Sequence, residues 1–484
     1  TELRSLSDER VFEFFDFISL DDGELPIELV VENIESGTNT EFKRTFLLEN
    51  GKVVYKNNSL RHDYKQSQVG TPDYADLLLD QYISVIEIVN PMHRMWSDGR
   101  WNKLTMAHGC YWGKCTFCDI SLDYIKNYEP LTAVVLVDRM EELIAKTGQN
   151  GFHFVDEAAP PALMKAMAIE IIRRKLVVSW WANVRFEKSF TRDTCQLLKS
   201  SGCIAVSGGL EVASDRLLAL IQKGITVDQV ARVSRNFSEA GIMVHAYLMY
   251  GFPTQTVQET IDSLEMIRQF FETGILKSAF WHLFTMTAHS PIGLEPEKYK
   301  VKKNSKELGS FANNDIEHTD TTGANHELFG YGLKKALLNY MHGHCMDYPL
   351  QKWFDFKVPT TTIPKNHIQT AIQEPEFSGT THYKSIWLGV MPSFTIVQKS
   401  KKGNKWEEMN LVFQTMKQTI NINVEPAKGE WLLKILSILS VGQTNGLSIS
   451  EIKENYTSAG LDGFELFWDN KPITTLYKAG LLRI

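Results

Sequence analysis

Three cysteines, Cys110, Cys115 and Cys118, fall within nine residues in the segment MAHGCYWGKCTFCDI. Thiolates at this spacing on one loop can each bind a different iron of a cubane [4Fe-4S] cluster, which leaves the fourth iron open to a substrate. The same residues also admit zinc. Cys115 and Cys118 form a C-x-x-C pair, and His108 would complete a Cys3His set. Spacing alone favours the cluster without closing the alternative. The remaining cysteines, Cys195, Cys203 and Cys345, are scattered, unlike the dense pairs of a secreted disulfide scaffold, which predicts a reducing, cytoplasmic compartment.

Other chemistry-bearing residues sit where apolar runs end. Asp156 and Glu157 follow such a run in FVDEAAP, where carboxylates can accept hydrogen bonds from an ammonium group or favour a helix N-terminus. Arg185 closes WWANVRFE and suits bidentate capture of a carboxylate, or a surface salt bridge. Glu211, with Ser214 nearby, is a charged residue closing the apolar run of SGGLEVAS, a position that favours function over packing. In MYGFPTQT, Gly251 permits close ligand approach and Pro253 fixes the strand exit, although an ordinary turn reads the same way.

The elements that must position these residues alternate in type between about residue 101 and residue 295. Strand candidates are KLTMA, GFHFV, VVSWWANV, CIAVSGGL, IMVHAYLMYG and SAFWHLFTM. Amphipathic helix candidates lie between them, several ending at a glycine. This alternation predicts a parallel α/β sheet with right-handed crossovers and functional loops at the strands' C-terminal ends. Residues 1–100 carry a helix around IELVVENIESG, a hairpin at TFLLENGKVVY and a loop-rich connector. Residues 296–380 read as irregular with one helix, YGLKKALLNYMHG. Residues 381–484 form an α+β region with strand-like runs either side of SKKGNK. Three helices and a closing LLRI suggest a winged-helix-like unit, with Ser448 and Glu451 at capping-box spacing.

Composition bounds the function. The 484 residues are 43% apolar and 23% charged with a net charge of −7, which argues against a broad nucleic-acid footprint. No apolar run reaches the ~20 residues needed to span a bilayer, and the start lacks both an initiator methionine and the layout of a signal peptide.

Taken together, the segments resemble the radical S-adenosylmethionine (SAM) superfamily, though with C-x4-C-x2-C in place of its usual C-x3-C-x2-C. The resemblance implies a partial (β/α)6 barrel holding a [4Fe-4S] cluster on Cys110, Cys115 and Cys118. Phe117 would lie against the adenine of S-adenosyl-L-methionine, and Asp156 and Glu157 would hold its amino group. Arg185 would take its carboxylate, Glu211 and Ser214 its ribose, and Gly251 and Pro253 would flank the adenine. The implied reaction is reductive cleavage to a 5′-deoxyadenosyl radical that abstracts hydrogen from a small-molecule or peptide substrate. It would be fed by an electron donor such as flavodoxin or ferredoxin. FFDFISLDDGELPIELVVENI and TPDYADLLLDQYIS further resemble the tail and linker of a cobalamin-binding, Rossmann-like domain, most of which would lie upstream of Thr1. That ancestry implies cobalamin-linked methylation of an unactivated carbon. The alternatives are a non-methylating rearrangement, cyclisation or epimerisation, or an iron–sulfur or zinc sensor carrying a winged helix. Trp180, Trp181, Tyr247, Trp281, His282 and His289 are candidate substrate contacts, each more often core or rim. HGHC, His342 to Cys345, is a weak metal candidate.

Overall fold

The computed structural model describes residues 3, 4, 6–38, 40–78, 81, 92, 101–304, 314–375, 383–415 and 418–484. Its centre is a six-stranded sheet in which every neighbour is parallel and the spatial order is the sequence order. The strands are β1 (Asn102–Leu104), β2 (Gly151–Phe154), β3 (Ser179–Val184), β4 (Cys203–Glu211), β5 (Met243–Tyr250) and β6 (Ser278–Leu283). The crossovers carry α1 (Ala133–Thr147), α2 (Pro161–Arg173), α3 (Arg192–Ser200), α4 (Asp215–Leu220), α5 (Val227–Glu239) and α6 (Val257–Glu272).

Local chemistry explains where these helices start. Thr132, Thr191, Thr226 and Thr256 cap α1, α3, α5 and α6, each hydroxyl accepting from a backbone N–H of the first turn. Thr256 and Glu259 form a reciprocal capping box. The helices bury their apolar stripes on one sheet face. There Phe152, Phe154, Trp180, Val184, Val206, Val244 and Leu248 share a core with Leu136, Met140, Met164, Met167, Leu197, Leu198, Val230 and Phe237. Alternate strand positions point to the other face, where Trp181 stacks on His153 with ring centroids 3.5 Å apart.

The flanking regions are simpler. Strands Phe17–Ser19, Thr45–Glu49 and Lys52–Lys56 form an antiparallel sheet beside helix Glu24–Ser36. The Asn50–Gly51 turn takes positive φ at both positions, as a two-residue hairpin requires. The described part of residues 1–100 is therefore an antiparallel unit. Apart from Gln81, the DQYIS end of the connector lies outside the described residues, as does the expected domain boundary at residue 100. The helix read at YGLKKALLNYMHG spans Phe329–Met341. C-terminally, Ser393–Lys401, Asn404–Gln414 and Thr419–Val424 form an antiparallel sheet. Leu447–Ser448, Lys384–Trp387 and Leu481–Arg483 form another, near helices Pro426–Leu439 and Ile449–Ser458. Among the described residues no helix is long and apolar enough to cross a membrane.

Candidate active site

The cysteine loop leaves β1 and is tied down from four directions. Cys110 N–H donates to Ile125 O at 2.9 Å, and Tyr111 Oη to Glu187 Oε1 at 3.1 Å. Thr116 N–H donates to Ile221 O at 2.9 Å, and Ile292 N–H to Thr116 O at 3.1 Å. Trp112 lies 4.0 Å from the Arg185 guanidinium and donates through Nε1 to Gln222 O at 2.9 Å. Its ring covers Gly224, whose φ is +71° and where a Cβ would sit 2.3 Å from the indole. The four-residue gap between Cys110 and Cys115 thus holds Tyr111 and Trp112, two side chains that clamp the loop to neighbouring elements.

All three cysteines are free thiols, Cys115 buried and the other two half-buried. The Cys118 thiol donates to Cys115, bringing the Cys115 thiol down to about 7 against its burial. Lys223 and Arg185 pull it the same way. The neighbouring Cys115, together with burial, raises the Cys118 thiol. His108 does not join this set: its Nε2 lies 3.5 Å from Asp22 Oδ1. Among the described residues no group of three His, Cys, Asp or Glu side chains gathers about one point for a single metal ion, as zinc would need. A cubane instead spreads its thiolates over separate irons. The loop chemistry fits the cluster, and His342 to Cys345 give no metal group either.

The carboxylates divide their work. Asp156 is buried and accepts from Met106 N–H and Ala107 N–H at 2.9 Å, so it holds the backbone that enters the cysteine loop. Glu157 reaches solvent, and partial burial pushes its carboxyl up. Burial likewise pushes Asp156 up to about 6, opposed by those two N–H donors. With the folded value above the unfolded 3.8, the folded state binds the proton more tightly, and stability falls as pH rises between them. The loss is on the order of 3 kcal/mol. Asp156→Asn is expected to flatten the dependence of the urea midpoint on pH between about 4 and 6. An unchanged slope would contradict this assignment.

Glu211 ends β4 at φ +60°, a left-handed conformation that is costly for a residue with a side chain. The register shows why it points where it does. Gly209 pairs with Tyr247 but Glu211 with Leu248, so Leu210 is an extra residue that re-aims Glu211 away from the helix side. Its Oε1 accepts from Lys223 Nζ at 2.6 Å, a buried pair that the sequence reading missed. Lys223 Nζ also lies 5.6 Å from the Phe117 ring centroid. The space is kept by Gly209, where a Cβ would fall 1.9 Å from Glu211 Oε1 and 2.6 Å from Lys223 Nζ.

Arg185 is buried and largely engaged, with Nε on Glu187 Oε1 at 2.9 Å and Nη2 on Lys223 O at 2.6 Å. Its Nη1 is buried and has no partner among the described residues. Gly251 has φ +79°, and Gln255 Oε1 accepts from Gly251 N–H and Phe252 N–H, closing the turn around Pro253. Ser214 is taken up elsewhere: its hydroxyl caps α4 and donates to Glu259 Oε1 at 3.2 Å. Of the candidate substrate contacts, Trp180 and Trp281 are buried in the core beneath the helices, and Trp181 is buried against His153. Tyr247 and the exposed His282 lie on the Glu211 side of the sheet, and His289 uses its carbonyl to accept from Ser121.

Residues 104–267 match the Radical SAM superfamily model. An uncharacterized methyltransferase of Pyrococcus horikoshii is 27% identical over 257 residues, covering 51% of this chain and 51% of that protein. An anaerobic magnesium-protoporphyrin IX monomethyl ester cyclase of Rubrivivax gelatinosus is 27% identical over 204 residues, covering 41% of this chain and 34% of that protein. The chain therefore spans about half the length, or less, of these curated relatives. The cobalamin-dependent S-adenosylmethionine radical enzyme OxsB, solved with aqua-cobalamin bound, shares the fold at a TM-score of 0.53 and 14% identity, over 69% of this chain and 52% of that one. The segment that matches, residues 104–267, carries the three cysteines and most of the parallel sheet, and it is this part of the chain that is similar to the Radical SAM superfamily.

Proposed function

We propose that this protein uses a [4Fe-4S] cluster and S-adenosyl-L-methionine to activate an unactivated carbon, with cobalamin-linked methylation as the leading reaction. The observation that carries the reading is the clamped loop of three free thiols facing the Glu211–Lys223 pair, in a domain of this superfamily. When bound, the cluster and cosubstrate supply reductive C–S cleavage and hydrogen abstraction. The chain's own residues hold and orient. Cys110, Cys115 and Cys118 ligate. Glu157, whose carboxylate accepts no hydrogen bond among the described residues, takes the ammonium in place of Asp156. Arg185 offers its partnerless Nη1 to the carboxylate. Glu211 accepts from the ribose hydroxyls, and Phe117, Gly251 and Pro253 bound the adenine. We further assign the sheet to a partial (β/α)6 barrel, the C-terminal helices to a winged-helix-like unit, and residues 1–100 to the tail of a cobalamin-binding-like domain.

The Glu211 assignment has its own test. Gly209→Ala forces the Glu211 carboxylate aside without touching the helix-side core, and a displacement of this size can cost up to about 100-fold. The dissociation constant for S-adenosyl-L-methionine, read by calorimetry, is expected to rise by at least about 10-fold. Unchanged affinity would remove Glu211 from the ribose site.

A second reading, cyclisation without methyl transfer, is favoured by the likeness to the Rubrivivax gelatinosus cyclase. Product analysis separates the two. Methyl transfer from S-adenosyl-L-methionine to cobalamin leaves S-adenosylhomocysteine, so its cobalamin-dependent appearance beside 5′-deoxyadenosine supports methylation. 5′-Deoxyadenosine alone supports the second reading.

A further inference from the structure

We propose that Lys223 tunes the reduction potential of the cluster: it is a buried cation of the cysteine pocket, held there by Glu211 so that its charge acts on the cluster's thiolates. The inference rests on the cluster reading above. Lys223 arrives on a tight turn after α4, in which Gln222 and Gly224 both take positive φ. Three contacts fix that turn to the site: Trp112 Nε1 on Gln222 O, Arg185 Nη2 on Lys223 O at 2.6 Å, and Lys223 N–H on Leu218 O at 3.0 Å. The residue is 8% exposed, and its side chain passes beside Phe117, the residue before Cys118. Its ammonium donates to Glu211 Oε1 at 2.6 Å, so the cation is held in place by a carboxylate partner.

A buried ion pair gives little net stability compared with an apolar pair of the same shape, so stability does not account for this one. Placed where it is, the pair has an electrostatic consequence. Reduction adds one negative charge to a cluster whose ligands are already anionic. Charge nearby in a poorly screened interior changes the cost of that electron, and net charge is one of the factors that set cluster potentials. Lys223 eases reduction, and Glu211 offsets part of that effect. Arg185 is a second buried cation near the loop, and its charge is offset by Glu187, whose Oε1 accepts from its Nε at 2.9 Å.

The test is a redox titration of the reconstituted full chain followed by electron paramagnetic resonance, without S-adenosyl-L-methionine. Iron and sulfide content is measured first. Failure of the wild-type chain to take up a cluster overturns the cluster reading itself, whereas a cluster with unresponsive potential overturns only the role of Lys223. Lys223→Met is expected to move the midpoint to a more negative value, and Glu211→Gln to a more positive one. The double variant should lie between Lys223→Met and wild type, and Lys223→Arg should stay near wild type. Should Lys223→Met fail to fold, Glu211→Gln decides alone: a positive shift supports the proposal and no shift overturns it. Equal midpoints in all variants, or shifts of one sign for both single changes, would also overturn it, because a purely structural role does not order the potentials by charge.

Discussion

Cys115→Ala is expected to reduce 5′-deoxyadenosine formation to background, by far more than the ~10–100-fold that loss of a residue merely orienting a metal ligand costs. The reason lies in the division of labour: the cofactor carries the bond chemistry, and a thiol lost from the loop removes the cofactor's attachment. The anchors of the loop do not involve the Cys115 side chain, since Cys110 N–H, Tyr111 Oη and Thr116 N–H make them. The variant should therefore fold, with an unchanged far-ultraviolet circular dichroism spectrum and lower iron content after reconstitution. Iron loss without activity loss would mean that the loop is not the catalytic centre.

Trp180→Ala is expected to lose about 4 kcal/mol of stability, the range for removing a large aromatic from a packed core. Trp180 is fully buried, meets Phe154 edge-on with centroids 5.8 Å apart, and donates through Nε1 to Ser201 O at 3.1 Å. Truncation leaves a cavity between β3 and the helices and strands a buried acceptor. Trp406, 40% exposed on the C-terminal hairpin, is the control, and its alanine variant should fall within about 0.5 kcal/mol. Urea unfolding of both variants provides the comparison, and a Trp180→Ala loss near that of Trp406→Ala would contradict the core assignment.

The parts of this fold legible in the sequence are those fixed by neighbours in the chain. Thr-capped amphipathic helices and the Asn50–Gly51 hairpin announce themselves through local chemistry, and the Ser448–Glu451 capping box forms as its spacing predicts. Where longer contacts decide, boundaries move. SAFWHLFTM reads as one strand, but β6 stops at Leu283. Phe284 turns into a cluster with Phe252, and Met286–Thr287 pairs with Asp315–Ile316 instead. Around SKKGNK the strands run on to Lys401 and Asn404, because Lys402 and Gly403 alone supply the positive φ values of the turn.

The site divides in the same way. The cysteines, Glu211 and the Gly251 turn stand at strand ends, so their type and place are visible together. Lys223 is not, because its meaning depends on a glycine gap at Gly209 and on a β4 bulge that brings Glu211 round to meet it. The one signal was a lone lysine in the apolar stretch LLALIQKGI. Asp156, Arg185 and Ser214 have the residue types the chemistry wants, but the backbone of Met106, the Glu187 carboxylate and the α4 N-terminus claim much of their capacity. Sequence shows which donors and acceptors exist, whereas competition among them is settled in three dimensions.

One anaerobic incubation decides whether the cysteine loop carries radical chemistry: the chain with reconstituted cluster, dithionite and S-adenosyl-L-methionine, analysed for 5′-deoxyadenosine. Formation of 5′-deoxyadenosine that requires the reductant and all three cysteines is the expected result. An intact four-iron cluster, verified by iron and sulfide content, that yields no 5′-deoxyadenosine would contradict the account.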